Sequence, residues 1–465
     1  MKYISTRGQA EALDFEGVTL AGLARDGGLY VPETLPRLAP DHIRAMRGKS
    51  YPEVAFQVIQ PFVAGSVTDA ELKQMLETTY GAAFRHPAVT PLVQLGSNEW
   101  LLELFHGPTL AFKDVALQLL GRFFDHFTSA SQKKLTILGA TSGDTGSAAI
   151  EGCRGRDNVN IYMLHPKGRV SEVQRRQMTT VIEDNVKNIA IEGTFDDCQA
   201  LVKACFNDLP FRDAANLTAV NSINWARVMA QIVYYFTSAV ALGAPDRTVS
   251  FTVPTGNFGD IFAGHIAKGM GLPIAKLNIA TNSNDILART LETGTYALGG
   301  TSSTISPSMD IQISSNFERL LFDLGGRNGE QVSEYMKALQ RDKGFELRAD
   351  HLAKLRHSFN AGRANDTETR AEMKKCYEET GYLTDPHTAV GLAITRKNLG
   401  EGTEPMITLA TAHPAKFGTA VEDACGVTPQ LPPHMADLFD RDEDFLVLAN
   451  DKDELQRYIL QGDTV

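Results

Sequence analysis

Cysteine is scarce and scattered. The five residues (Cys153, Cys198, Cys205, Cys376, Cys425) include no Cys-x-x-Cys pair, which excludes a disulfide framework or a zinc ribbon and fits a reducing, cytoplasmic compartment. No cluster of His, Cys and carboxylates has metal-ligand spacing, so no metal is expected. Long hydrophobic runs are also missing. The longest uncharged stretch, residues 229–245, contains Gln231, Tyr234, Tyr235, Thr237 and Ser238 and is shorter than the ~20 residues a membrane span needs. It reads as a buried helix. Residues Met1 to Gly8 lack the apolar core of a secretory signal. There is no basic excess: 45 Lys+Arg against 56 Asp+Glu give a formal charge of −11, so nothing global attracts nucleic acid or anionic lipid. An anionic ligand would need a local cationic pocket. Neither Gly-x-Gly-x-x-Gly nor a Walker loop occurs at the Gly-rich turns, which argues against a nicotinamide oxidoreductase.

What remains is an ordinary globular composition, 43% hydrophobic and 22% charged over 465 residues, long enough for two or three domains. The first hundred residues mix helical patterns with Gly and Pro punctuation, as in Asp26 to Glu33. From Leu135 the chain alternates short apolar runs with helical patterns. Leu135–Leu138, Val159–Leu164, Val186–Ile191 and Leu217–Val220 read as strands, with helices over Arg169–Thr180 and Asp196–Asn207. A second series starts at Val249–Val253 and Lys276–Ala280, and Met406–Thr411 is a further strand. Such alternation predicts βαβ units and parallel sheets, so two α/β domains in tandem are expected. Residues 330–380 are dense in charges of both signs and read as a pair of solvated helices. The tail after Leu431 ends in a short amphipathic pattern.

Three loops carry chemistry. After strand Leu135–Leu138 comes Gly139-Ala140-Thr141-Ser142-Gly143-Asp144-Thr145-Gly146, a Gly/Ser/Thr turn into a small-residue helix. Free amides and hydroxyls at a helix start form an anion site suited to a carboxylate or a phosphate; an ordinary capped turn is the plainer alternative. Pro254-Thr255-Gly256-Asn257-Phe258-Gly259-Asp260 likewise joins a strand to a helix, with glycines that let amides approach an anion. The third segment is His106-Gly107-Pro108-Thr109-Leu110-Ala111-Phe112-Lys113-Asp114. It sets a lysine between an aromatic residue and an apolar helix start. Lysine is rarely buried there without reason; it is either a snorkelling surface residue or an amine tuned to condense with a carbonyl.

Taken together with Thr6-Arg7-Gly8, Asp26–Glu33, Asn221-Ser222-Ile223-Asn224-Trp225, Asp385-Pro386-His387-Thr388-Ala389 and His413-Pro414-Ala415-Lys416-Phe417, these segments resemble the threonine synthase family over most of the chain. These are pyridoxal-phosphate enzymes of the tryptophan synthase β-like group (fold type II), and the match is to the long-chain bacterial and fungal branch. The resemblance implies an α/β fold of two parallel-sheet domains with an N-terminal extension. The expected spans are 1–95 for that extension, 96–134 for the Schiff-base lysine segment of the large domain, 135–222 for the small domain, 223–430 for the large domain and 431–465 for a tail. It implies conversion of O-phospho-L-homoserine and water to L-threonine and phosphate. Lys113 would hold the cofactor covalently and move protons at Cα and Cβ. Phe112, Gly256, Asn257, Phe258, Gly259 and Thr411 would complete the cofactor site, Thr411 facing the pyridine nitrogen. Thr141, Ser142 and Thr145 would bind the substrate carboxylate, and Asp144 is also counted among the substrate-binding residues. Asn221, Ser222 and Arg227 would take the substrate phosphate, with Lys416 also in the site.

One departure is Asp144: related lyases carry Asn there, and an ionised Asp cannot donate a hydrogen bond. His387 is either a cofactor-site residue or a helix-start residue. His106 is either close to the chemistry or a satisfied turn residue, and Trp225 is assigned to packing. Rivals are a serine/threonine dehydratase, an O-acetylserine-type synthase, or a non-catalytic homologue that binds phosphorylated ligands. The Asn221–Trp225 segment and the long N-terminal region argue against the first two, and an intact Lys113 against the third. A small-molecule substrate is expected, in a monomer or homodimer, with neither nucleic acid nor membrane as partner.

Overall fold

The computed structural model describes residues 1–129, 134–400 and 403–461. The chain divides into two compact units. One comprises Met1–Val18, Leu23–Phe112 and Ser222–Pro429. The other comprises Thr19–Gly22, Lys113–Asn221 and the described chain from Gln430 onward.

The first unit is built on a six-stranded sheet in the order Phe359–Arg363, Ile274–Thr281, Val249–Pro254, Met406–Ala410, Glu99–Glu103, Leu92–Gln94. Every pairing is parallel except the last, which is antiparallel. Strand Val249–Pro254 is buried at all its positions, as expected of a central parallel strand covered on both faces. The uncharged run anticipated as a buried helix is Trp225–Ala241, with fifteen of its residues buried. Asn224 caps it by accepting from Ala226 N at 3.0 Å. Trp225 is a packing residue, its ring centroid 5.9 Å from Tyr3 and 5.8 Å from Phe62. The N-terminal part adds an antiparallel pair, Tyr3–Ser5 with Tyr30–Pro32. It also adds helix Tyr51–Val63, opened by a Ser50/Glu53 capping box.

The charged region is not a simple helix pair. It contains the helices Gly329–Asp342, Ala349–Ser358 and Asp366–Thr380, with Phe359–Arg363 threading back as an edge strand of the sheet. A half-exposed edge strand reading Phe-Asn-Ala-Gly-Arg has no apolar run to betray it.

The second unit carries a fully parallel five-stranded sheet: Leu446–Leu448, Val186–Ile191, Val159–Pro166, Leu135–Ala140, Leu217–Thr218. Its core gathers Leu138, Leu164, Ile189, Cys198 and Cys205 with Leu455, Tyr458 and Ile459. The last three come from helix Lys452–Gln461. The segment expected as a separate tail is thus part of this unit, apart from residues 462–465, which lie outside the described chain.

The segment 113–134, expected with the larger domain, is likewise grouped here as far as it is described. The reason is a close helix crossing. A Cβ on Gly121 would collide with Gly152 O, and one on Gly152 would stand 2.5 Å from Leu117 O. Glycine at both places lets the backbones of Lys113–Thr128 and Asp144–Cys153 touch. Among the described residues no helix is long and apolar enough to cross a membrane.

Candidate active site

In the second unit, two helix starts meet. Lys113 and Asp144 each open one of the two crossing helices, and Lys113 Nζ donates to Asp144 Oδ2 at 3.1 Å. Both are buried, Lys113 at 8% exposure and Asp144 at 4%. A cation at a helix N-terminus opposes the helix dipole, whereas a carboxylate there is favoured. The lysine therefore sits where only a specific partner makes it tolerable. Asp144 is itself held: Gln174 Nε2 donates to its Oδ1 at 2.7 Å, and Ser171 Oγ donates to Gln174 Oε1 at 2.9 Å. Gly143, at φ +146, is the residue that lets Gln174 approach, since any Cβ there would strike the Gln174 amide.

Asp144, expected among the substrate-binding residues, is here a partner of the lysine. Asp suits this place better than Asn, because both of its oxygens accept, one from Lys113 Nζ and one from Gln174 Nε2, and an Asn would turn its NH2 on one of those donors. Thr141 is also partly committed, its Oγ1 accepting from Gly143 N and Gly146 N, both at 2.9 Å. That leaves only its O–H to donate elsewhere. Ser142 is exposed, Thr145 half-buried and Asn221 exposed.

In the first unit, the chain leading into Lys113 is stitched to the segment after strand Met406–Ala410. Phe112 N donates to Thr411 O at 2.8 Å and His413 N to Leu110 O at 3.0 Å, with a bridge between Ala111 and Ala412. Lys416 Nζ donates to Thr109 O at 2.6 Å. Phe112, Thr411 and Lys416 are therefore brought together, and at least one role of Lys416 is to fix the approach to the lysine. His413 beside them is pushed down to about 4, chiefly by burial, so it is a neutral imidazole at physiological pH. His106 pairs with Glu103 at 2.7 Å, the satisfied alternative.

The second glycine loop opens helix Gly259–Gly269 through Phe258, which has φ +65. Thr255 N still bonds Ala280 O and Phe262 N bonds Phe258 O. Between them the amides of residues 256–260 have no backbone acceptor among the described residues. Amides left over at a helix start are an anion cradle. The loop is backed by Ser314 Oγ, which donates to Gly256 O at 2.7 Å. Behind it, Asp260 accepts from Tyr234 OH at 2.6 Å and Tyr235 OH at 2.9 Å. Burial raises the Asp260 carboxyl to about 6.

Glycine at 256 answers to a neighbour. A Cβ there would lie 2.8 Å from Ser308 O. Ser308 N in turn donates to His387 Nε2 at 3.2 Å, and His387 Nδ1 is 2.7 Å from Asp385 Oδ2. His387 is therefore both a helix-start residue and a strut behind the loop. Arg227 is 4% exposed, and burial lowers its guanidinium to about 10. It remains charged at neutral pH.

Gln174, Ser308, Asn316 and Arg319 were not visible as site residues in the sequence. Only the adjacent charges Glu318-Arg319, at the start of a helix otherwise apolar except for Asp323, carried a signal.

Comparison with known proteins fits this geometry. Residues 2–80 match the family model described as threonine synthase N terminus, 83–349 that of the pyridoxal-phosphate-dependent enzymes, and 388–459 that of threonine synthase, C-terminal. A threonine synthase of Pseudomonas aeruginosa is 56% identical over 462 residues, covering 99% of this chain and 98% of its own. The crystal structure of a pyridoxal-phosphate-bound threonine synthase from Brucella melitensis superposes with a TM-score of 0.97 at 56% identity, covering 100% of both chains. That of yeast threonine synthase gives 0.93 at 40% identity, covering 99% of this chain and 98% of its own. The two parallel-sheet units with their N-terminal extension are the fold type II architecture, and the chain belongs to the threonine synthase family of pyridoxal-phosphate-dependent enzymes.

Proposed function

We propose that this chain makes L-threonine and phosphate from O-phospho-L-homoserine and water, with Lys113 as its catalytic residue. The observation that carries the reading is a buried primary amine held by a carboxylate, 3.1 Å from Asp144, in a chain that also carries a glycine loop of amides without backbone acceptors. A buried amine suits an aldehyde, and the loop suits a phosphate ester, so the residues fit pyridoxal phosphate. Bound there, the cofactor supplies the electron sink for breaking the Cγ–O bond and adding water at Cβ.

The chain's own residues do the rest. Lys113 holds the cofactor and, once released by the substrate amine, carries protons between Cα and Cβ as general base and acid. Asp144 orients that amine and balances its charge whenever it is protonated. The amides of Gly256, Asn257, Phe258 and Gly259 take the cofactor phosphate, Phe112 flanks the ring, and the Thr411 hydroxyl meets the ring nitrogen. A neutral hydroxyl there leaves the ring less electron-withdrawing than a carboxylate partner would. Thr141, Ser142 and Thr145 receive the substrate carboxylate.

Asn221, Ser222 and Arg227 hold the substrate phosphate. Arg227 can grip two oxygens at once and stabilise the charge that grows on the leaving group. Lys416 supports the same site while anchoring Thr109. The enzyme acts in the cytoplasm as a monomer or homodimer, which light scattering would decide.

The test is phosphate release with threonine detected as product, comparing O-phosphohomoserine with O-phosphoserine. Threonine formed from the first substrate alone is expected. Equal or preferred turnover of O-phosphoserine would overturn the assignment in favour of a dehydratase-like activity.

A further inference from the structure

Two residues absent from every loop considered so far stand behind the proposed phosphate sites. Asn316 precedes helix Phe317–Leu324 and Arg319 lies in its first turn. Both are completely buried, at 0% exposure. Arg319 donates through Nε to Tyr30 O at 3.0 Å and through Nη2 to Ile223 O at 2.6 Å. Its Nη1 donates to Asn316 Oδ1. Its guanidinium carbon lies 5.8 Å from the centroid of Trp225. Burial lowers its guanidinium to about 9.

A guanidinium has donors only, so Arg319 dictates which way the Asn316 amide faces. The oxygen must point at the arginine, and the NH2 must point away. There it donates to Ser222 O at 3.1 Å and Asn257 O at 3.0 Å. Asn316 N adds a second bond to Asn257 O, also at 3.0 Å. One side-chain amide thus joins the segment assigned to the substrate phosphate to the loop assigned to the cofactor phosphate. Gly259 makes room for it, since a Cβ there would come within 3.3 Å of Asn316 Nδ2.

The helix carrying this pair is tied down in turn. Glu318 accepts from Thr6 Oγ1 at 2.6 Å, Arg7 Nε at 3.1 Å and Arg7 Nη2 at 3.0 Å. The N-terminal Thr6-Arg7 and the backbone of Tyr30 therefore both brace it.

We infer that Asn316, oriented by Arg319, is a positioning residue that sets the spacing between the two phosphate-binding segments, so that cofactor phosphate and substrate phosphate are recognised as a matched pair. This rests on the assignment of Ser222 and of residues 256–259 proposed above. Loss of the clamp lets either segment relax independently, and both anions lose affinity together.

The discriminating variant is Asn316→Asp. It preserves shape and strengthens the contact to Arg319, but replaces the donor facing Ser222 O and Asn257 O by a second acceptor. Two lost hydrogen bonds and a new repulsion correspond to roughly tenfold or more in each affinity. Cofactor affinity is read by absorbance titration of the apo-protein, and inorganic phosphate affinity by calorimetry on the holoenzyme. Weakening of both by about that factor, with KM raised more than kcat is lowered, is the expected result. Should the acidic variant fail to fold, Asn316→Ala, which leaves both carbonyls without their donor, takes its place with the same expectation.

Loss of one affinity without the other, or a folded variant with wild-type values for both, overturns the inference. If the wild type binds cofactor and phosphate yet does not release phosphate from O-phosphohomoserine, the functional assignment fails while the two affinities still decide the role of Asn316.

Discussion

Replacing Gly256 by alanine tests the cradle at its tightest point. The added methyl would sit 2.8 Å from Ser308 O, where ordinary contact begins near 3.4 Å, so something must yield by about 0.6 Å. The carbonyl cannot easily swing, because Ser308 N is held by His387 Nε2 at 3.2 Å and His387 by Asp385 at 2.7 Å. The loop is itself held on its other side, by Ser314 at Gly256 O and by Asn316 at Asn257 O, so any retreat from Ser308 displaces the amides proposed to meet the phosphate. Gripping a phosphate draws it back, so the overlap is felt on binding. Overpacking of this kind costs about 1–3 kcal/mol, which weakens cofactor binding roughly 5- to 150-fold. Gly259→Ala should cost less, since its methyl meets the Asn316 side chain at 3.3 Å and the neighbour need give only a few tenths of an ångström. The assay is absorbance titration of apo-protein with pyridoxal phosphate, run on Gly256→Ala, His387→Ala and the double variant. Releasing Ser308 by removing His387 should make the double variant less impaired than the sum of the singles, by at least about 0.5 kcal/mol. Additivity of the two losses, or unchanged affinity in Gly256→Ala, would refute the strut and the cradle respectively.

Borohydride treatment of the cofactor-loaded protein should attach the pyridoxyl group to Lys113 and to no other lysine by peptide mapping, and Lys113→Ala should abolish turnover. Arg227→Ala should lower turnover of O-phosphohomoserine by about 100-fold or more with the cofactor absorbance unchanged, and Arg227→Lys should recover only part of it because the bidentate grip is lost. Near-normal efficiency in Arg227→Ala would move the phosphate role to Lys416. The Asp260 carboxyl, raised to about 6 from 3.8 in the buried site, gives a signed pH effect. Below about pH 4 both states are protonated. Between about 4 and 6 only the folded state keeps the proton, so stability falls as pH rises, reaching a penalty of about 3 kcal/mol above pH 6. Asp260→Asn should therefore gain on the wild type progressively across that window in thermal melts, and a pH-independent difference would contradict the raised value.

The sequence revealed most about the fold where strands are short, apolar and bounded by turns. Val186–Ile191 was expected residue for residue, and Val159–Pro166 and Leu135–Ala140 were extended by two residues each. It was silent at Leu92–Gln94, which is only three residues long and pairs with its neighbour Glu99–Glu103, and at Glu99–Glu103 and Phe359–Arg363, which carry charge or glycine and hold their place through partners far along the chain. The unit boundary was misplaced for a related reason: the Gly121–Gly152 crossing is a tertiary contact between two unremarkable helical glycines. At the candidate site, the two glycine turns were legible as helix openings, and helices do begin at Asp144 and Gly259. Gln174, Ser308 and Asn316 were not. Each acts through a neighbour 30 to 94 positions away, and no local pattern encodes that.

A chain of net charge −11 that is proposed to bind a doubly charged phosphate must do so with its buried cations. Exposed cations elsewhere pair with carboxylates, as in Arg44 with Asp246 or Lys374 with Glu378, and project little field. Lys113 is also set against a carboxylate, Asp144, so its charge is balanced while it awaits chemistry. Arg319 is different. Its donors meet two backbone carbonyls and an amide oxygen, while the adjacent Glu318, hydrogen-bonded to Arg7 and Thr6, supplies the nearby negative charge. Neutral dipoles satisfy the hydrogen-bonding geometry of the guanidinium, and burial shields its charge from solvent screening. Lys416 adds a second buried cation on a backbone carbonyl, and Arg227 a third charge at 4% exposure. If the proposed assignment of Ser222, Arg227 and the 256–259 loop holds, phosphate binding should survive added salt far better than steering by surface charge would, as phosphate calorimetry at rising salt would read.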